Sequence, residues 1–363
     1  MTSVKRVLIG QPLATDQAHH EKIPKILALP VFSSVALSSV AYATEAIMGA
    51  LLVAGTGTFG LTPWISLAIV VLLAIVAASY RQTIMAYPGG GGSYAVSREN
   101  MGDTPAQIAG ASLLVDYILT VSVSIAAGVA AIASLLKNNH LQVTQPGIVV
   151  TCILCILFVA LMNLRGLRES GAVFVVPTYL FVAIMYTMLG IGLWKFLGAH
   201  SLPSVHPLPD FQNAGGGTTD GSISQAAYSL GEPTRFLGFY LLLHAFASGC
   251  TALTGVEAIS NGVSAFKEPA SRNAAITLLW MAGILGTTFL GLGYLAMQTH
   301  ALPSNAILPG ANRDLGETVL SQVGRAVFDN STTGGNFLYW MLQIATALIL
   351  VLAANTAFAD FPR

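Results

Sequence analysis

The chain has 363 residues, of which 54% are apolar and only 9% charged, and its sixteen basic and sixteen acidic residues leave a formal net charge of +0. A mean hydropathy of +0.70 describes a chain built to sit in lipid. Balanced charge, with no basic run interleaved with aromatics, excludes nucleic acid as a partner.

A bilayer core about 30 Å thick needs roughly 20 mostly apolar residues per helix. Eight stretches reach that length, near 28–54, 63–86, 106–136, 147–164, 171–198, 235–262, 273–299 and 335–361. A membrane β-barrel would alternate polar and apolar residues instead, so the expected fold class is an all-α integral membrane protein. Residues 1–27 form a polar arm with Lys5, Arg6, Lys22 and Lys25, without the cleavage pattern of a signal peptide. The arm reads as cytosolic.

The first span carries FSSVALSSVAYATE at 32–45, where Ser38, Tyr42 and Glu45 recur at i, i+4 and i+7 and share one helix face. The loop after the second span, YPGGGGSYAVSREN at 87–100, lacks the GK[ST] ending of a phosphate loop and follows an apolar helix rather than a strand. Its glycines suit a close backbone approach or a moving gate. On the third span Asp116, Thr120 and Ser124 share a face at i, i+4 and i+8. A single serine or threonine in such a stripe can bond back to its own helix and serve only as a small packing residue. A central aspartate costs roughly 2.5 to 3.5 kcal/mol in a membrane helix, so Glu45, Asp116 and Glu257 together point to function.

The fourth span holds Cys152 and Cys155 in TCILCILF with no histidine or second pair to complete a metal site, and core packing explains them. No transition-metal site and no cofactor are expected. NAGGGTTDGSIS at 213–224 reads as a flexible outer loop. The sixth span, FASGCTALTGVEAISNGV, combines Gly249, Gly255 and Gly262 with hydroxyls and Glu257, a composition that favours local unwinding. Cys250 there reads as filler, and His244, with no partner at ligand spacing, as a packing histidine. ALSSVAYATEAI at 36–47 and ALTGVEAI at 252–259 share ALxxV and EAI, which places related segments in two spans expected to break. Unwound carbonyls can coordinate cations.

Basic residues set the orientation. With the N-terminus inside, Lys5, Arg6, Lys22, Lys25, Arg81, Arg98, Arg165, Arg168, Lys267, Arg272 and Arg363 fall inside, eleven of the sixteen, while Lys137, Lys195, Arg235, Arg313 and Arg325 fall outside. The expected organisation is a cytosolic arm at 1–27, spans one to five at 28–198, an extracellular loop at 199–234 and spans six to eight at 235–363.

Taken together, FSSVALSSVAYATE, SYRQTIMAYPGGGGSYAVSRENMG, SLLVDYILTVSVS, NLRGLRESG and TGVEAISNGVSAFKEP resemble the KimA-type potassium-proton symporters of the amino acid-polyamine-organocation superfamily. The resemblance covers nearly the whole chain. It implies a twelve-helix bundle with a LeuT-like inverted-repeat core of ten helices, homodimers, and a C-terminal cytosolic domain that senses a cyclic dinucleotide. The family's potassium-coordinating groups fall on Tyr42, Tyr117, Thr120, Ser124 and Thr254, and its membrane carboxylates on Asp116 and Glu257. Hydroxyls and unwound carbonyls can replace the water shell of K⁺. A carboxyl group in a partly desolvated site can carry a proton, and Glu257 is the candidate for that role, with Glu45 and Asp116 as further charged groups. K⁺ and H⁺ are thus expected as transported ions.

One position departs from the family pattern: an aspartate of the first helix is Val35 here. That leaves open proton-coupled potassium uptake in the plasma membrane, a permease for amino acids or another organic solute, and a non-transporting sensor. The absence of glycine between Ala28 and Met48 argues against backbone amides cradling a substrate carboxylate, and retained Asp116 and Glu257 argue against a disused pathway. An enzyme is not expected. The chain stops at AANTAFADFPR, directly after the eighth span, whereas the inverted-repeat core has ten, so a fragment truncated after about eight helices is expected.

Overall fold

The computed structural model describes residues 22–138, 145–164, 172–199, 202–205, 235–304, 316–329 and 331–360. The NLRG…ESG connection at 165–171 and most of the expected arm and extracellular loop lie outside the described residues. Twelve α-helices account for nearly all the described structure: α1 Lys25–Ser38, α2 Val40–Leu51, α3 Thr62–Ala86, α4 Gly92–Met101, α5 Asp103–Asn138, α6 Gln145–Leu164, α7 Ala172–Ala199, α8 Arg235–Gly249, α9 Ala258–Asn261, α10 Ala270–Gln298, α11 Val319–Phe328 and α12 Thr333–Asp360. The β geometry among the described residues is one isolated bridge between Ile23 and Phe266.

Seven stretches are long and apolar enough to cross a bilayer, Lys25–Leu51, Gly57–Ala86, Asp103–Lys137, Val175–Gly198, Gly238–Asn261, Ala270–Gln298 and Thr333–Ala357. The fourth expected span corresponds to a shorter apolar helix, Pro146–Leu161. Large apolar side chains remain exposed along these helices, among them Leu114, Val115, Ile118, Leu119 and Val123 on α5. The opposite face of α5 turns Thr120, Val121, Ser124 and Ile125 inward. This helix is inside-out relative to one from a water-soluble protein, because lipid solvates its apolar face while its hydroxyls need protein partners.

The first span passes through the middle of the bundle, and Ala28, Ala36, Val40, Ala43 and Ile47 are wholly buried. Around it, α12 packs along α5, α1 and α7, while α10 packs along α3 and α1. Pairing of α8 with α2 brings the sixth span beside the first. At the Lys25 end, Ile23 exchanges backbone hydrogen bonds with Ala265 and Lys267, and Lys22 pairs with Glu268 at 2.8 Å.

The two spans expected to break behave differently. The sixth does unwind: α8 ends at Gly249, Cys250–Leu253 form a 3₁₀ turn, Thr254 is extended at φ −60°, ψ 134°, and Gly255 takes φ +81° before α9 begins. The first does not. Ser39 separates α1 from α2 but keeps helical dihedrals of φ −63°, ψ −23°, and its carbonyl accepts from the Ala43 amide at 2.9 Å. Serines, unlike the glycines of the sixth span, pay no dihedral advantage for leaving the helix. Here Ser39 instead spends its hydroxyl on Ala36 O at 2.6 Å and on Ala252 O of the unwound turn at 3.0 Å.

Candidate functional site

The unwound turn faces the polar side of α5. Between them lies a small cavity of about 10 Å³ lined by Val35 of α1, Asp116, Tyr117 and Thr120 of α5, Gly255, Glu257 and Ala258 of the sixth span, and Ala357 of α12. That volume is near the minimum that holds one water molecule. Its walls carry two carboxylates, a phenol and a hydroxyl, a donor set suited to a small hydrated or partly dehydrated cation.

Local structure explains the shape. Gly255 sits at φ +81°, where L side chains are disfavoured, and a methyl group there would overlap Cβ and Cγ1 of Val35. Only glycine lets the turn press against the first span, and the contact positions Glu257 two residues on. Asp116, Tyr117 and Thr120 point the same way because i, i+1 and i+4 on α5 all fall within its inward face.

Of the residues expected from sequence, the structure brings Asp116, Tyr117, Thr120 and Glu257 together at this cavity. Tyr42, half-buried on α2, is close enough to Asp116 for the carboxylate to act on its hydroxyl electrostatically. Ser124 is fully buried one turn beyond Thr120, with no hydrogen-bond partner for its hydroxyl. Thr254 is half-buried at the extended residue of the turn. Neither Ser124 nor Thr254 lines the cavity.

Glu45 lies elsewhere. Its carboxylate oxygens accept from the backbone amides of Ser304, at 3.0 Å, and Val319, at 3.2 Å. It therefore ties the first span to the N-terminus of α11, at the end of the bundle away from Lys25. Two backbone N–H donors and the dipole of α11 satisfy a carboxylate well. Ser38, which shares its face in the sequence, bonds back to Val35 O at 2.9 Å as a packing residue. Cys152 and Cys155 are half-buried free thiols among the side chains between α5, α6 and α12. His244 is exposed, its ring parallel to that of Tyr240 one turn earlier.

Three contributors are not among the site residues expected from sequence, although Tyr80 and Asn261 fall within stretches that carry the family resemblance. Tyr80 of α3 lies within electrostatic reach of both Glu257 and Asp116. Asn261 ends α9 and donates from Nδ2 to the Tyr117 hydroxyl at 3.3 Å, while its Oδ1 is buried without a partner. Ala357 brings α12 to the cavity. A lone tyrosine or asparagine in an apolar run carries no spacing signal, and an alanine carries none at all.

The glycine-rich loop meets the same turn. Gly91 N donates to Asn261 O at 3.3 Å, and a methyl group on Gly90 or Gly92 would collide with Asn261. Positive φ at Gly90, Gly91 and Gly92 lets the loop coil against the end of α9 before α4 starts. The close approach expected of these glycines is present.

Residues 30–363 match the family described as Amino acid permease. The chain is also 42% identical over 366 aligned residues to the potassium transporter KimA of Bacillus subtilis (strain 168), an alignment covering 99% of this chain and 53% of that protein. The chain thus spans about half the length of this relative. With a family match that runs from the first span to the last residue, the chain belongs to the amino acid permease family.

Proposed function

We propose that the protein to which this chain belongs takes up potassium together with protons across the plasma membrane by alternating access, with its N-terminus inside. The observation that carries this reading is the cavity where Asp116, Tyr117 and Thr120 meet Glu257 and the unwound turn, a space for one water-sized occupant beside two carboxylates. An amino acid would need far more room than about 10 Å³. The named activity of the relative at 42% identity supports the same reading.

In this mechanism Tyr117 and Thr120 supply neutral oxygens to the cation, joined by Tyr42, Ser124, Thr254 and freed carbonyls of the turn as the bundle rearranges. Asp116 supplies the negative charge that Val35 does not. Glu257, at the start of the helical half beyond the turn, takes and releases the proton. The glycine loop seated on Asn261 closes the inner side, and the excess of basic residues on the loops at the Lys25 end supports the orientation.

The test is rubidium uptake by the full-length parent in cells that lack their own potassium importers, at mildly acid and mildly alkaline external pH, beside Glu257→Gln and Val35→Asp. Uptake that rises with acidity and is lost in Glu257→Gln is the expected result. Uptake that appears only in Val35→Asp, or not at all, would refute the reading and favour an organic solute.

A further inference from the structure

We infer that Glu317, Ser321, Tyr339 and Gln343 form a proton uptake route leading from the outer face into the bundle. The inference rests on the proton coupling proposed above. Glu317 lies two residues before α11, next to its N-cap Thr318, and is buried, with 8% of its surface exposed. One carboxylate oxygen accepts from Arg325 Nη2 at 3.0 Å and the other from Ser321 Oγ at 3.0 Å. Ser321 Oγ lies 2.7 Å from the Tyr339 hydroxyl, itself wholly buried on α12. One turn deeper on α12, Gln343 is 1% exposed, and neither its Nε2 nor its Oε1 has a hydrogen-bond partner.

A buried amide with four unused hydrogen-bonding positions is costly in apolar surroundings, and internal water is the usual partner of such groups. Gln343 thus marks a hydrated point at which a hydrogen-bonded chain from the surface arrives. The chain has a direction. Ser321 donates to Glu317, so its oxygen accepts from Tyr339, and every O–H points outward toward the carboxylate. Protonating Glu317 reverses that polarity: Glu317 gives its proton to Ser321 Oγ, Ser321 passes its own to Tyr339, and Tyr339 passes its own to water at Gln343. One proton is taken up, one is delivered, and rotation of the two hydroxyls resets the chain.

The charges around Glu317 suit a transient proton acceptor. Burial holds its carboxyl above the usual carboxylate range, against the opposing pull of Arg325, the Ser321 hydroxyl and Lys137. Titratable groups on the elements packed around α11 include Glu45, committed to the Ser304 and Val319 amides, and Lys195, which donates to Val327 O, while Tyr294 lies near the end of α10 and Tyr42, Asp116, Tyr117, Tyr179, Tyr186 and Arg272 sit on the same set of helices. Asp329, past the end of α11, is held low by Ser331. None of these replaces Glu317 as the buried carboxyl at the head of the chain.

From Gln343 to Ala357 at the cavity, α12 runs on for about 21 Å at the helical rise. Gly128 of α5 meets Leu350 and Ala347 of α12, so Ser124, one turn nearer the cavity, lies between Gln343 and Asp116 in depth. Its buried, unpartnered hydroxyl is the next stage on the way inward.

The experiment uses the full-length parent in liposomes with a trapped pH dye, acid outside, and rubidium present or absent. Tyr339→Phe and Gln343→Leu remove the relaying groups while keeping bulk, and rubidium exchange at symmetric pH reports an intact cation path. Rubidium-dependent proton influx is expected to fall by roughly a hundredfold in both variants, the low end for a positioned proton-transfer group, with the half-saturating rubidium concentration unchanged. Parental proton influx in both variants would overturn the route and leave the symport reading standing. Loss of rubidium exchange alongside proton influx in both would assign these residues a packing role and overturn the route as well. A parent without rubidium-dependent proton influx would sink both readings.

Discussion

Gly255→Ala is the substitution in which backbone and packing contributions at the site can be separated. Gly255 is at φ +81°, so an alanine there carries the left-handed penalty of about 1–2 kcal/mol. Its methyl group would also overlap Cβ and Cγ1 of Val35 and crowd the Ala36 amide. Val35 is 5% exposed and cannot swing away, so the overlap behaves as core overpacking and adds about 1–3 kcal/mol. The expected total is roughly 2–5 kcal/mol, measured from unfolding midpoints of the purified full-length protein in a fixed lipid-detergent mixture. Trimming Val35 to alanine removes only Cγ1 and Cγ2, relieving part of the overlap and none of the dihedral strain. In a double-mutant cycle, Gly255→Ala should therefore cost about 1–2 kcal/mol less in the Val35→Ala background than in the parent. A cost within about 0.5 kcal/mol of zero in the parent, or no coupling between the two positions, would refute the account of why the sixth span turns here.

Glu45 makes two charge-assisted hydrogen bonds to amides, worth about 1.5–3 kcal/mol each before non-additivity. Glu45→Ala should lower stability by roughly 3 kcal/mol and Glu45→Gln, which keeps one acceptor, by about half of that. Equal unfolding midpoints for the two variants would show that the second bond contributes nothing. Glu317, with its folded pKa raised above the unfolded value, holds its proton more firmly when folded. Its contribution is present below the unfolded pKa near 4.3 and is lost as pH rises through the higher folded value. Glu317→Gln should flatten the fall in stability across that window, and an unchanged slope of unfolding free energy against pH would exclude the effect.

Most of the fold was legible because a membrane imposes length and apolarity on every crossing segment. The eight apolar stretches are all largely helical, the first as α1 and α2 and the sixth as α8 and α9 on either side of a turn, and the inward stripe of α5 followed from the spacing of Asp116, Thr120 and Ser124. The break in the sixth span was legible for a related reason, since Gly255 needs no compensation at positive φ. The first span was misread because serines can leave a helix or stay in it, and what decides is a partner distant in sequence. For Ser39 that partner is the Ala252 carbonyl, which exists only because the other span unwinds. Glu45 illustrates the same limit. Its face matched that of Tyr42, yet seven residues of helix, about 10 Å, separate Ser38 from Glu45, enough to carry the carboxylate out of the site and up to the N-terminus of α11. Helical spacing fixes azimuth and says little about which level of a membrane path a residue reaches.

The departure at Val35 acquires a physical meaning from the contact it makes. Valine and aspartate branch at neighbouring positions and fill similar space, so Val35 keeps the buttress on which Gly255 rests while removing a charge. With Asp116 and Glu257 as the two carboxylates at the cavity, one monovalent cation and one proton bring the site to neutrality. A third carboxylate would leave that loaded site with a net negative charge in a medium where unpaired charge is expensive. On the proposed reading, Val35 changes the number of cations and protons that must bind together before the bundle can reorient, and it does not remove the means of binding one. Val35→Asp in the rubidium assay then has a definite sign: the variant should need a more acid exterior or more cation to reach the parent's rate, since its loaded state must recover one additional positive charge.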